Sequence, residues 1–388
     1  LGENAGFDLT TGSHNVGLGT DALNGGYTTF TGSNNTGIGY QAGYNLSTGQ
    51  YNILQGYRAG LDLNSGYENV MLGKQVGWKA TTAYNNVLIG SNAAGIGVLT
   101  GTDNVAIGTL SAADATSAMK NVFVGSGSGE NITSGQQNVA IGYNALRTST
   151  DSIYNIALGA YAMSTGLVTG IDNIALGRLA AEDLTSSDNS ILIGVQAGYN
   201  VTTANNTIAI GKSAMGAGVT TGADNIAIGQ TAGNDITSGT DNVFIGHSAG
   251  ANVTTGIGSI AIGWGALDAS VVTGSNNIAM GYGALGLSAS VAGNDNIAFG
   301  NLAGEAVTSG YRNIIMGQFA GKVLTTGHDN VLMGGYAGNA LLGGEDNTFI
   351  GKDAGKTTTS GSNNMALGFG ALATSATVSN QITLGNSS

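Results

Sequence analysis

Asn138-Val139-Ala140-Ile141-Gly142 decides the fold because it does not occur only once. The same five residues, lightly varied, return as Asn104-Val105-Ala106-Ile107-Gly108, as Asn225-Ile226-Ala227-Ile228-Gly229, and onward through all 388 residues. Counted by the closing glycine, from Gly2 to Gly385, there are 23 copies and 22 intervals. Only Gly19 to Gly39 (20 residues) and Gly281 to Gly300 (19 residues) exceed a spacing of 17 or 18. A period this strict marks a repeat architecture in which each unit is completed by its neighbours. It overrides the expectation of two or three globular domains for this length and predicts one solenoid domain over residues 1–388.

With positions counted from the motif glycine, −4 is Asn in 18 of the 22 copies that show it, the exceptions being Ser190, Thr207, Ser259 and Gln381. Position −3 is Val or Ile and −1 is a large apolar residue in nearly every copy. A second apolar column stands ten residues before the glycine, as in Leu9, Leu46, Leu63, Ile132, Leu184, Val201, Val219, Ile236, Val253 and Leu324. Thr and Ser follow at −9 and −8, and −7 is Gly in 16 of 22 copies. Val and Ile form strands, these apolar runs are too short for helices, and Gly supplies the positive φ of turns. One unit therefore reads as a short strand, a Gly turn, a second short strand and a Thr/Ser-Gly turn. It forms one coil of a parallel β-solenoid of about 22 coils. Coils stacked about 4.8 Å apart would extend over roughly 105 Å. The Asn column suits turns and can stack on itself as an amide ladder.

Position −2 lies between two apolar columns and so points to the opposite face, yet it is also apolar: Ala106, Ala140, Ala157, Ala227 and Ala261, with Phe123, Phe244 and Phe349 among the larger residues. A strand apolar on both faces is buried on both. The expectation is that −3 and −1 fill the coil, and that the Ala stripe at −2 contacts further copies in a parallel homotrimer.

Composition narrows the function. Charged residues are 9% and the net charge is −12, with no basic patch to neutralise phosphates, which argues against nucleic-acid binding. No apolar run is long enough for a transmembrane helix, so membrane insertion of this segment is not expected. Cysteine and proline are absent, which removes disulfides and thiolate metal sites and suits a chain whose backbone N–H groups are all needed. The chain opens and closes within the repeat, at Leu1-Gly2 and Leu384-Gly385, without capping units, which suggests a piece of a longer fibre.

The Asn-x-Val-Ala-Ile-Gly spelling with Ala three residues on resembles the head repeats of trimeric autotransporter adhesins, whose heads are left-handed parallel β-rolls packed as trimers. The likeness covers the chain at the level of the motif but departs in period, the adhesin unit being shorter. Asn35 to Gly43, Asn-Thr-Gly-Ile-Gly-Tyr-Gln-Ala-Gly, looks like bacteriophage tail-fibre repeats. The resemblance implies a trimeric attachment fibre, extracellular on a bacterial cell surface or on a virion.

Two outer columns are candidate sites. Acids recur at −5, and Asp224 with Asp241, like Asp329 with Asp346, fall on neighbouring coils. Such carboxylates repel unless offset or bridged, and calcium, which takes oxygen ligands, is the candidate cation beside the plain alternative of a solvated Asp turn. Aromatics recur at +1 as Tyr40, Tyr57, Tyr143, Trp264, Tyr282 and Phe369, where rings could stack on sugars. Acids follow the repeat instead of clustering, and His14, His247 and His328 are scattered, so no catalytic constellation is visible. The expected function is a non-enzymatic fibre shaft or head attaching to a host or environmental surface. The alternatives are a glycan-binding, lectin-like array and, behind it, a polysaccharide depolymerase.

Overall fold

The computed structural model describes residues 2–385 except Tyr27, Leu287 and Ala289. They form two compact units, Leu1–Val195 and Gln196–Ser388, built from the same coil. The chain is an all-β parallel solenoid of about 22 coils, with no helix among the described residues. In the first unit a parallel ladder runs from β1 (Val16–Leu18) to β11 (Ile191–Ile193), and in the second from β12 (Ile208–Ile210) to β22 (Ile382–Leu384). Register follows the motif: β7 (Val122–Val124) meets β8 (Val139–Ile141) with Val122 opposite Val139, Phe123 opposite Ala140 and Val124 opposite Ile141.

Each coil carries one three-residue strand, not two. The second expected strand survives only as isolated parallel bridges such as Val201–Thr220 and Val253–Val272. The backbone between the two places turns too often to stay extended, with left-handed residues at +2 and +4, as in Gln41 (φ 54°) and Gly43 (φ 64°).

The inward and outward faces are the reverse of the expected ones. Position −2 is the core: Ala106, Phe123, Ala140, Ala227, Phe244 and Phe349 are all 0% exposed. Positions −3 and −1 point outward, so that Ile141 and Ile228 are 42% and 36% exposed. The Ala stripe therefore cannot meet another chain. The reason is the narrow lumen, which −2 shares with buried Ala at +3 (Ala42, Ala59, Ala93) and with the buried Leu46, Leu63 and Ile132 of the −10 column.

Asn at −4 has the same parity along the strand as −2, and it too is inside; Asn52, Asn69 and Asn86 are each 0% exposed. Its amide is fully used. Asn69 Nδ2 donates to Asn52 Oδ1 at 2.9 Å and to the Ala83 carbonyl at 2.8 Å. Its Oδ1 accepts the backbone N–H and Nδ2 of Asn86, both at 3.1 Å. The same ladder runs through the second unit, where Asn313 Nδ2 donates to Asn296 Oδ1 at 2.9 Å and to the Gly327 carbonyl at 2.9 Å. A buried amide costs free energy only when its hydrogen bonds are missing, and here none is. Ser259 continues the column with a hydroxyl, its Oγ accepting the N–H of Asn277 at 3.3 Å. The ladder expected from the sequence is present, in the interior and not at a corner.

The core columns trade volume. Where −2 is large, the +4 residue of its coil is Gly, except for Leu88 with Ala94: a Cβ on Gly129 would lie 2.7 Å from the Phe123 ring, and one on Gly355 would lie 2.3 Å from that of Phe349. Where −2 is Ala or Gly, +4 can be large, as Ala140 with Leu146 and Ala157 with Met163, all buried. Where both are small, as with Ala227 and Gly233, the next coil fills the space: a Cβ on Gly233 would lie 2.8 Å from the Phe244 ring.

The motif glycine is fixed by backbone. Gly56 has φ +137°, a region closed to L side chains, and a Cβ there would meet the Gly73 carbonyl oxygen of the next coil at 2.2 Å.

In coils of 18 residues the buried site moves from −10 to −9: Val219 is 59% exposed and Thr220 fills the core in its place. Leu99 behind exposed Val98, and Val272 behind exposed Val271, repeat the shift. Leu9, also read as core, is exposed.

Candidate functional site

Three outer features remain once the core is assigned: the −5 acids, the aromatic column and the outward aliphatic face.

Position −5 is left-handed in every acidic copy described, with φ between 54° at Asp346 and 60° at Asp224 and Asp241. Asn and Asp tolerate this conformation because their short side chains bond locally, which accounts for their recurrence. Asp224 Oδ1 accepts Asn206 Nδ2 at 2.9 Å, and Asp241 Oδ2 accepts the Thr240 hydroxyl at 2.6 Å. Asp329 is met by Arg312 from the preceding coil at 2.7 Å and by His328 Nδ1 at 2.8 Å. The hydrogen bond from Arg312, and then that from His328, holds the Asp329 carboxyl below the usual carboxylate range, while Arg312 is raised by the same bond. His328 Nε2 also lies 3.3 Å from Glu345. Asp346 borders a shallow recess with Asn363 and Asn380. Among the described residues no three of His, Cys, Asp and Glu come together as a metal-ligand group. The calcium candidates Asp224, Asp241 and Asp329 thus have protein neighbours supplying polar contacts, while Asp346 only borders its recess.

The +1 aromatics are outside, and Tyr40, Tyr57, Tyr143, Trp264, Tyr282 and Phe369 are all exposed. Tyr40, Tyr57, Tyr143, Trp264 and Tyr282 each pair with a ring on a neighbouring coil. Tyr40 and Tyr57 lie 5.4 Å apart at 15°, with the Arg58 guanidinium 5.1 Å from the Tyr57 ring centre. In the second unit His247, Trp264 and Tyr282 form a triple stack with centroid steps of 5.9 and 4.8 Å and interplanar angles of 5° and 7°. Tyr143 instead meets Tyr161 edge-on at 5.2 Å, and their hydrogen bond raises the Tyr161 phenol above its ordinary value. Stacking covers ring faces and leaves ring edges outward. A second aromatic column at −6, missed in the sequence, holds Tyr67 on Tyr84 at 4.8 Å and Tyr311 on His328 at 4.5 Å. The signal for it was available, since Tyr67 and Tyr84 are one period apart.

Near the triple stack, Asp268 accepts Asn252 Nδ2 at 3.0 Å. Burial pushes its carboxyl up to about 6, against the opposing influence of His247 and with a smaller upward contribution from Asp235.

The third feature is the −3/−1 face, two columns of mostly Val, Ile and Leu along each ladder, with Met and Phe299 among them and Thr36, Gln55 and Thr348 as uncharged polar members. Val105, Val122 and Val139 are half-buried at −3 in the first unit, and Ile228, Ile245, Phe299 and Ile350 are exposed at −1 in the second. No charged side chain occurs at −3 or −1 in any described strand. No protein-family model matches the chain, and no curated protein is similar to it.

Proposed function

We propose that the chain is a fibre segment that acts by its structure, without catalysis, outside the cell or on a virion, and that it holds attachment surfaces on a homotrimeric shaft. The observation carrying this reading is the uncharged aliphatic face at −3 and −1 of each ladder. Monomeric proteins rarely expose a continuous apolar patch of this kind. A second copy of the same chain is the partner that fits it. Its coils recur with the same step of about 4.8 Å, so side chains interdigitate at every coil once they do so at one. The stripe is only one three-residue strand wide. Three such stripes can converge on an axis along the stacking direction, and rotation about that axis makes the chains parallel.

Sedimentation velocity and native mass spectrometry test this. The expected particle has three times the 38.4 kDa chain mass. Ile141→Lys and Ile245→Lys together should give a folded monomer. A parent chain that is monomeric at micromolar concentration overturns the reading.

A further inference from the structure

We propose that the edge formed by Trp264 and Tyr282 binds neutral linear polysaccharide, with the sugar chain lying along the direction in which the coils stack. This rests on the attachment reading and assigns a ligand class to one surface of the second unit.

Four observations lead there. Trp264 and Tyr282 are 48% and 49% exposed although each is stacked on a neighbour, so about half of each side chain stays open to solvent. The Trp264 indole N–H and the Tyr282 hydroxyl have no hydrogen-bond partner among the described residues, so two unclaimed polar groups stand on consecutive coils. At +2, beside these two rings, stand Gly265 and Gly283, whereas the preceding coil has Ser248. A Cβ at Gly265 would meet nothing within 4 Å, so there is room beside the indole. Finally, Asp268 lies close enough to His247 of the stack, and to Asp235, to interact with both, on a chain of net charge −12.

Rigid aromatic bodies with polar tips are the side chains that contribute most to recognition surfaces. A sugar polymer matches them in kind, since it offers apolar C–H patches and hydroxyls alternately. It also matches them in step, because a pyranose unit is about as long as the ~4.8 Å rise of one coil. An anionic polymer would be repelled by the local carboxylates and the net charge. The Tyr40–Tyr57 pair does not qualify, since the Arg58 guanidinium already lies over the Tyr57 ring.

Affinity electrophoresis of the full chain through gels containing hydroxyethyl cellulose, galactomannan or alginate decides the matter. Retardation by at least one of the two neutral polymers is expected, and none by alginate. Trp264→Ala and Tyr282→Ala should each weaken it at least tenfold, as loss of an anchoring aromatic does. Tyr40→Ala with Tyr57→Ala should leave it unchanged. Thermal melting and sedimentation of the same variants show whether fold and assembly are intact. A monomeric but glycan-retarded parent would overturn the trimer and leave this assignment standing. The assignment is overturned if neither neutral polymer retards the chain, if alginate alone does, or if folded Trp264→Ala and Tyr282→Ala bind as the parent does.

Discussion

Replacing Asn69 by Ala tests whether the internal amide ladder holds the coils together. Four hydrogen bonds go with the side chain: two donated by Nδ2, to Asn52 and to the Ala83 carbonyl, and two accepted by Oδ1 from Asn86. Not all the partners are stranded. Asn52 Oδ1 keeps the backbone N–H of residue 69 at 3.1 Å, and Asn86 Nδ2 keeps the Tyr84 and Gly101 carbonyls at 2.9 and 3.1 Å. The backbone N–H of Asn86 and the carbonyl of Ala83 lose the bonds these distances describe, in a place without solvent. At about 1–3 kcal/mol for each stranded group, the substitution costs roughly 2–6 kcal/mol.

Because a solenoid opens in sections, the assay is native-state hydrogen exchange read by mass spectrometry across residues 50–105, with global melting as a second measurement. Protection of the coils on either side of residue 69 should fall by about thirtyfold at the low end and about twenty-thousandfold at the high end, at tenfold per 1.4 kcal/mol. Asn69→Ser should fall much less, because the hydroxyl of Ser259 already accepts the next coil's N–H in the native column. If Ala and Ser behave alike, or Ala changes protection by less than fivefold, the ladder is incidental and the aliphatic core alone holds the coil.

Other expectations follow from the same packing. Ala140→Phe should destabilise by about 1–3 kcal/mol through overpacking against Leu146. Adding Leu146→Gly, which reproduces the Phe123–Gly129 arrangement, should recover part of the loss as a favourable coupling in a double-mutant cycle by thermal melting. Gly56→Ala should disrupt its coil, since the new Cβ meets backbone at 2.2 Å and φ +137° is forbidden; limited proteolysis between residues 50 and 75 should show the break. The pH dependence follows from Asp268, whose carboxyl is raised from 3.8 to about 6 by burial. The folded chain then binds more protons than the unfolded one between those values, so stability is greatest at the acid end and declines as pH rises through about 6. Asp268→Asn should remove this part of the decline and raise the melting temperature at pH 7 relative to the parent, while the two melt more nearly alike at pH 4.

Much of the fold was open to reading in the motif. Its period gave the coil, its Val and Ile the strand, and its stacked Asn the ladder. Size matching between −2 and +4 was also present in the sequence, because Phe123, Phe244 and Phe349 each precede a Gly at +4 (Gly129, Gly250 and Gly355). The shift of the buried residue in 18-residue coils was less legible. Val219-Thr220 offers an aliphatic residue first and a polar one second, and hydropathy selects Val219. In the structure Thr220 is the buried one, its hydroxyl donating to the Ile236 carbonyl at 3.0 Å. Coil length decides the choice, since Leu99 and Val272 are buried at the same place in their 18-residue coils without any side-chain hydrogen bond. For the candidate sites, the sequence located the aromatic and acidic columns but not that adjacent rings occupy each other's faces, nor that Arg312 and His328 meet Asp329.

The inverted faces have one cause. Alternation along a strand says only that −3 and −1 oppose −2 and −4; it does not say which pair is inside. Polarity decides the matter wrongly if Asn is assumed to seek water, for then −4 is outside and −2 goes with it. The alternative premise is that an amide can be more completely bonded in a stack than in solvent. Within a column of copies spaced about 4.8 Å apart, every Asn finds the same acceptor above and the same donors below. This premise also accounts for the persistence of Asn at −4 in 18 of 22 copies, since a solvated turn residue would be free to vary as −5 does among Asp, Asn, Glu, Gln, Lys, Arg, His, Tyr and Gly. Once Asn is placed inside, Ala at −2 must follow it, and the aliphatic pair is left facing outward along each ladder. An uncharged face then arises as a by-product of how the coil satisfies its own amides. The proposed assembly with further copies would cover that face without any residue set aside for the purpose, and it would leave +1, +2, −6 and −5 free to vary along each ladder.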